Sequence, residues 1–135
     1  MRTAALRLEP GSDLRAALEE AAAERGFSAA CVVTCVGSLR RVELRVPTLR
    51  GGSRTLALDG PLEIVSLVGT LAPDGAHLHV CVSDGIGRAH GGHLLRGAPV
   101  HTTAEIVLLE LEDVRFAREL DERTGFKELV IRKRG

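Results

Sequence analysis

His77 and His79 flank Leu78 in a stretch that alternates as a strand does, and His93 follows the glycine pair Gly91-Gly92. A strand sends every second side chain to the same face, so the first two rings stand together, with Cα atoms roughly 6.6 Å apart. Imidazoles at that spacing can grip one ion. The turn formers of Ser83-Asp84-Gly85-Ile86-Gly87-Arg88 allow the chain to reverse and bring His93 back to the pair. Three neutral nitrogen donors suit zinc or a similar divalent transition metal. They leave a coordination position for water or a small molecule, unlike a closed structural site. The alternative is three polar residues lining a cleft and satisfied by backbone carbonyls. Ligation needs unprotonated rings, so binding should fail as the pH falls toward about 6.

Neighbouring residues bear on the same site. Cys81 lies two positions past His79 and shares its face, either as a fourth ligand that closes the site or as a buried apolar thiol. His90 is read as a loop residue, with alternative ligand or hydrogen-bond donor as the other roles. Glu63 interrupts the apolar run Pro61-Leu62-Glu63-Ile64-Val65, where an unpaired buried charge would cost several kcal/mol. A histidine or a metal-bound water would satisfy it, making Glu63 an orienting group or a general base; a solvated face or an arginine partner would serve as well. His101 and Glu105, further along, could line the same cleft or a subunit interface. Gly85, Gly87, Gly91 and Gly92 read as turns at the rim of a pocket, because no phosphate-binding signature accompanies them.

The elements that must hold these residues can be read from hydropathy. The first eight residues alternate as a strand, and Pro10-Gly11 stops them. Ser12 is a natural N-cap for an Ala-rich helix over residues 13–25, with Leu14, Ala17, Leu18 and Ala21 on its apolar stripe and Gly26 at its end. Strands follow: Phe27 to Val36, apolar enough to be buried on both faces; Val42 to Val46; a short one at Leu56 and Leu58; and Leu62 to Leu71 after an Asp59-Gly60 turn. The histidine strand spans about Ala76 to Ser83, and a glycine-rich loop follows it. Then come Val100 to Leu111, Val114 to Arg118 and Phe126 to Arg132. One helix among many strands predicts a single α+β domain over residues 1–135. Its mostly antiparallel sheet should be highly curved and barrel-like, covered by the one main helix.

Composition narrows the partners. The 135 residues carry 18 basic and 18 acidic side chains, a net charge of zero that gives no concentrated positive field for phosphate backbones. Aromatics are 2%, which leaves almost nothing for bases to stack on. The basic end Arg132-Lys133-Arg134 reads as solvated. No apolar run approaches the roughly 20 residues of a membrane helix, and the N-terminal residues lack a secretory pattern, so a cytoplasmic protein is expected. Cys31, Cys35 and Cys81 are odd in number and lie among apolar residues, as reduced thiols do. Cys31 and Cys35 are expected on one face of one strand, as core filler.

Four segments together carry a family resemblance: Leu62-Glu63-Ile64-Val65-Ser66-Leu67-Val68-Gly69-Thr70, His77-Leu78-His79, Gly91-Gly92-His93-Leu94 and Thr102-Thr103-Ala104-Glu105-Ile106. In this order, over nearly the whole chain, they resemble the plants-and-prokaryotes conserved (PPC) domain. The resemblance implies an α+β fold with a curved sheet, assembly as a homotrimer, and a zinc-type ion on His77, His79 and His93. Plant members join the domain to AT-hook motifs, whose arginines read the minor groove. This chain has no AT-hook, and Arg96-Gly97-Ala98-Pro99 is only a superficial echo. It is similar to the stand-alone prokaryotic members, which are often labelled DNA-binding and whose role is poorly defined. Two functions follow as expectations: a metal site that binds or processes a small molecule, or an oligomeric interaction module without chemistry.

Overall fold

Eight strands and one helix account for most of residues 1–135, all of which a computed structural model describes. In chain order they are β1 (Arg2–Leu8), α1 (Leu14–Glu24), β2 (Ala30–Pro47), β3 (Ser53–Ala72), β4 (Gly75–Ser83), β5 (Ala89–Leu94), β6 (Val100–Glu110), β7 (Val114–Asp121) and β8 (Phe126–Lys133). Six strands form one sheet in the order β1-β6-β2-β3-β4-β5, with every neighbouring pair antiparallel, and β7 and β8 form a separate hairpin. This is the α+β architecture expected.

Strand length bends the sheet. β2 runs for 18 residues and β3 for 20, each roughly 60 Å if straight. Ribbons this long coil, and extra residues sharpen the bend. Register shifts fall at Val32/Thr34, Gly37/Leu39, Leu39/Arg41 and Ile64/Ser66. As a result the first half of β2 pairs with β6, while its second half reaches β5 through Leu44–Leu94 and Arg45–His93. The sheet curls around its core without closing into a full barrel.

The core fills the concave face. Leu14 and Leu18 of α1 are buried with Leu39, Leu44, Leu62, Leu78, Leu94, Ile106 and Leu108, each leucine contributing about 1.5–3 kcal/mol of burial. The cap of α1 is Asp13 rather than the expected Ser12. Its carboxylate accepts from Ala16 N at 3.0 Å and also from Gly97 N and Ala98 N at 2.8 Å, so one side chain starts the helix and ties down the chain before β6. The one fully buried charge, Glu110, accepts from Arg2 Nε at 2.6 Å and Ser28 N at 2.9 Å. The hairpin is fastened beside it by buried Phe116, whose N–H donates to Ser28 O at 2.9 Å.

Several local expectations are corrected. Asp59-Gly60 is not a turn, because β3 runs straight through it; a Cβ on Gly60 would stand 2.6 Å from the carbonyl oxygens of Leu39 and Arg40. The segments expected at Phe27–Val36 and Val42–Val46 are one strand, and it is not buried on both faces, since Val33 and Val36 are each 57% exposed. Cys31 pairs with Leu109 and Cys35 with Ile106, an odd offset that puts the two thiols on opposite faces. The bulge at Val33 causes the switch. Finally, the glycine-rich segment around His93 is not a loop but β5.

Candidate metal centre

Alternation along β4 sends Ala76, Leu78, Val80 and Val82 into the core and leaves His77 and His79 outside. β5 returns antiparallel beside it, so that His93 pairs with His79, while β3 on the other side places Thr70 against His77 and Val68 against His79. The close fit of β3 depends on Gly69. A Cβ there would lie 2.1 Å from the His77 carbonyl oxygen. The three histidines expected to converge do so.

The His77 and His79 Nε2 atoms are 3.1 Å apart, and ring centroids are separated by 5.0, 5.2 and 5.7 Å around the triad. One ligand atom from each ring lies within 4.8 Å of the others. Two zinc–nitrogen bonds of about 2.0–2.1 Å in tetrahedral geometry put their nitrogens roughly 3.3 Å apart, close to the observed pair. Three imidazoles without a carboxylate or thiolate among them fit zinc and its transition-metal neighbours rather than magnesium or calcium.

The surroundings disfavour protonation of two of the rings. Burial, reinforced by the guanidinium groups of Arg45 and Arg15, pushes the His93 pKa down to about 4. Burial first, then His79 and Arg118, lowers that of His77. His93 therefore holds a free lone pair well below the pH of about 6 expected from ordinary histidines, and His77 is shifted in the same direction. Arg15 reaches from α1 with Nη1 3.5 Å from His93 Nε2, and it donates to Leu94 O at 2.7 Å and Ala76 O at 2.8 Å. It fixes the helix to the two strands that carry the site.

Other candidate residues lie elsewhere. Cys81 keeps the outward face but is not in the donor cluster. His90 sits at an odd offset from His93, facing the other way, and contacts Asp84 Oδ2 at 3.2 Å. That contact, with the N–H groups of Arg88 and Ile86, holds the Asp84 carboxyl well below the usual carboxylate range and closes the β4–β5 turn. Glu63 is exposed, between Ser38 and Ser83 in the ladders. It stands four residues beyond His79, roughly 13 Å along the strand, so the fold does not bring it to the triad. Glu105 pairs with Arg7 and Val36 on the far side of the sheet, and His101 is exposed on β6.

An open cleft of about 500 Å³ adjoins the triad, lined by His77 and His93 and by Arg45, Arg118, Phe126 and Lys127 among others. Sequence reading missed these basic residues and Arg15. Each is distant in the chain from the histidines, and only the β2–β5 pairing and the packing of the hairpin bring them there.

A family model for the Plants and Prokaryotes Conserved (PCC) domain matches residues 1–112. The chain belongs to this family. Among similar proteins of known structure, a hypothetical protein from Salmonella is 38% identical with a TM-score of 0.90, covering 98% of this chain and 94% of that one. A metal-containing protein from Archaeoglobus fulgidus is 31% identical with a TM-score of 0.83, covering 96% and 94%. The bifunctional protein GlmU of a Synechococcus strain is 44% identical over 133 residues, 98% of this chain and 21% of that protein. The chain thus spans about a fifth of the length of the curated relatives it matches first. The β7–β8 hairpin lies beyond the matched PCC residues. No helix is long and apolar enough to cross a membrane.

Proposed function

We propose that this PCC domain is a homotrimeric metal-binding protein. In this reading His77, His79 and His93 hold zinc or a similar divalent transition metal and offer an open position to a small molecule. The observation that carries it is the convergence of three imidazoles beside a cleft. A bound ion supplies a Lewis acid there. The chain's own residues disfavour protonation of His93 and position the site: Arg15 and Arg45 bracket His93, and Gly69 sets the distance between β3 and His77. The metal-containing relative from Archaeoglobus supports the assignment.

Assembly rests on exposed apolar surface. Val33, Val36, Val65 and Val68 are 57–58% exposed on neighbouring strands β2 and β3, and surface of this kind marks association. Val68 lies across from His79, so a subunit contact on this face borders the metal. Nucleic acid is a poor fit. Arg132 and Arg134 of the basic end are spent on Glu119 and Glu110.

Metal analysis combined with light scattering tests this reading. The purified chain should carry about one metal per chain at three times the 14.4 kDa chain mass, and His79→Ala should lose the metal yet keep the trimer. Unfolding or dissociation of His79→Ala would make the histidines structural. The interaction module without chemistry, which the exposed valines also favour, would then be the better account.

A further inference from the structure

We propose that the cleft beside the triad is an oxyanion subsite. In it Arg45 of β2 and Arg118 and Lys127 of the β7–β8 hairpin clamp the phosphate or carboxylate group of the small molecule. The proposal rests on the metal reading for the ligand's other contact, but its evidence is separate.

Charge is the first part of it. Arg45, Arg118 and Lys127 all line the cleft, and none of them forms an ion pair, although ten other basic side chains of the protein do. The two acids that line the same cleft, Asp74 and Glu128, offset part of this charge at Arg118 but form no ion pair with any of the three. Asp74 accepts the backbone N–H of Arg118 at 2.9 Å, and Glu128 accepts from Thr124 Oγ1 at 2.9 Å. Three cations against two carboxylates leave the cleft positive before any metal is counted.

Arg118 is the second part. It is half-buried, and its Nη2 donates to Thr70 Oγ1 at 2.7 Å, directly beside His77 in the ladder, while its Nε–H is buried with no partner. A buried donor left unpaired costs about 1–3 kcal/mol, and a guanidinium facing a cleft without a counter-ion adds to that. Burial already lowers its pKa. An anion in the cleft would give the guanidinium charge a counter-ion, and a planar fork suits the oxygens of phosphate and carboxylate alike.

The third part is the hairpin itself. It supplies Arg118, Lys127 and the exposed ring of Phe126, it is anchored on the β7 side by Phe116, and it lies outside the residues shared with the PCC family model. A cleft of about 500 Å³ accommodates a metabolite-sized molecule. The ligand class is therefore a small organic anion, its charged group between Arg45 of β2 and the basic residues of the hairpin and its body against Phe126.

Titration of the zinc-loaded and metal-free protein with inorganic phosphate and with succinate, followed by the Arg118 Nε–H resonance and by calorimetry, tests the subsite. Sodium chloride at matched ionic strength is the control. Saturable binding of either anion is expected, weakened at least about tenfold in Arg118→Gln and in the exposed Lys127→Gln, with zinc content unchanged in both. Phosphate preference points to a phosphoester ligand, succinate preference to a carboxylic acid, and either supports the proposal. Binding of neither anion, or equal binding by both variants, overturns it. Absence of zinc from the unmodified protein with anion binding intact overturns only the metal reading.

Discussion

His93 is paired twice, with His79 across the β4–β5 ladder and with Arg45 where β5 meets the second half of β2. One residue therefore joins the metal triad to the basic cleft. It is placed there because β2 is long enough to pair with β6 at one end and with β5 at the other. Bending of the sheet and construction of the site are the same event.

Gly69→Ala should damage the site through the backbone. The added Cβ would stand 2.1 Å from His77 O and 2.9 Å from Leu78 Cα, so β3 and β4 must separate where the first ligand is held. A loss of about 1–3 kcal/mol in denaturant unfolding is expected, with zinc affinity reduced more than in a matched Gly85→Ala control. Unchanged stability and affinity would show that the strands have slack there.

Protonation of the triad should be visible in the metal-free protein. Histidine ring resonances followed by NMR should give a His93 midpoint near 4 and a His77 midpoint below 6.5. For His93 the unfolded chain binds more protons than the folded one between about 6.5 and 4, so stability falls as the pH is lowered through that window and is unaffected above it. A His93 midpoint near 6.5 would mean that neither burial nor Arg45 and Arg15 act on the ring as described.

Glu110 makes a second contribution of the same sign. Burial opposes its charge, but Ser28 N–H and Arg2 outweigh this and hold its pKa below the usual carboxylate value. Its stabilisation is present above the unfolded pKa of about 4.3 and is lost as the pH falls through the lower folded value. Glu110→Ala strands the Ser28 N–H and frees Arg2, so a loss on the order of 2 kcal/mol is expected at neutral pH. The gap between mutant and parent should narrow as the pH falls through the lowered folded-state pKa of Glu110. A neutral effect at pH 7 would remove Glu110 from the account of hairpin anchoring.

Much of this arrangement was legible from the chain. Alternation located the histidine strand, and the turn formers of Ser83-Asp84-Gly85-Ile86-Gly87-Arg88 marked the reversal that returns His93 to it, because these signals are local. What stayed hidden depends on irregularity or on distance. The bulge at Val33 separates Cys31 from Cys35, and no residue type announces it. The apolar run around Glu63 suggested burial, yet alternation puts Glu63 on the outer face, beyond reach of the triad. Arg45 and Arg118 carry no local signal, and only the β2–β5 pairing and hairpin packing set them beside His93 and His77.

X-ray absorption at the zinc edge of the reconstituted protein, compared with His79→Ala and His93→Ala, addresses the central claim most directly. Three imidazole nitrogens at about 2.0–2.1 Å plus one exchangeable oxygen ligand are predicted, with that signature lost in both variants. A sulfur scattering shell at about 2.3 Å, or an unaltered spectrum in either variant, would contradict the three-histidine centre.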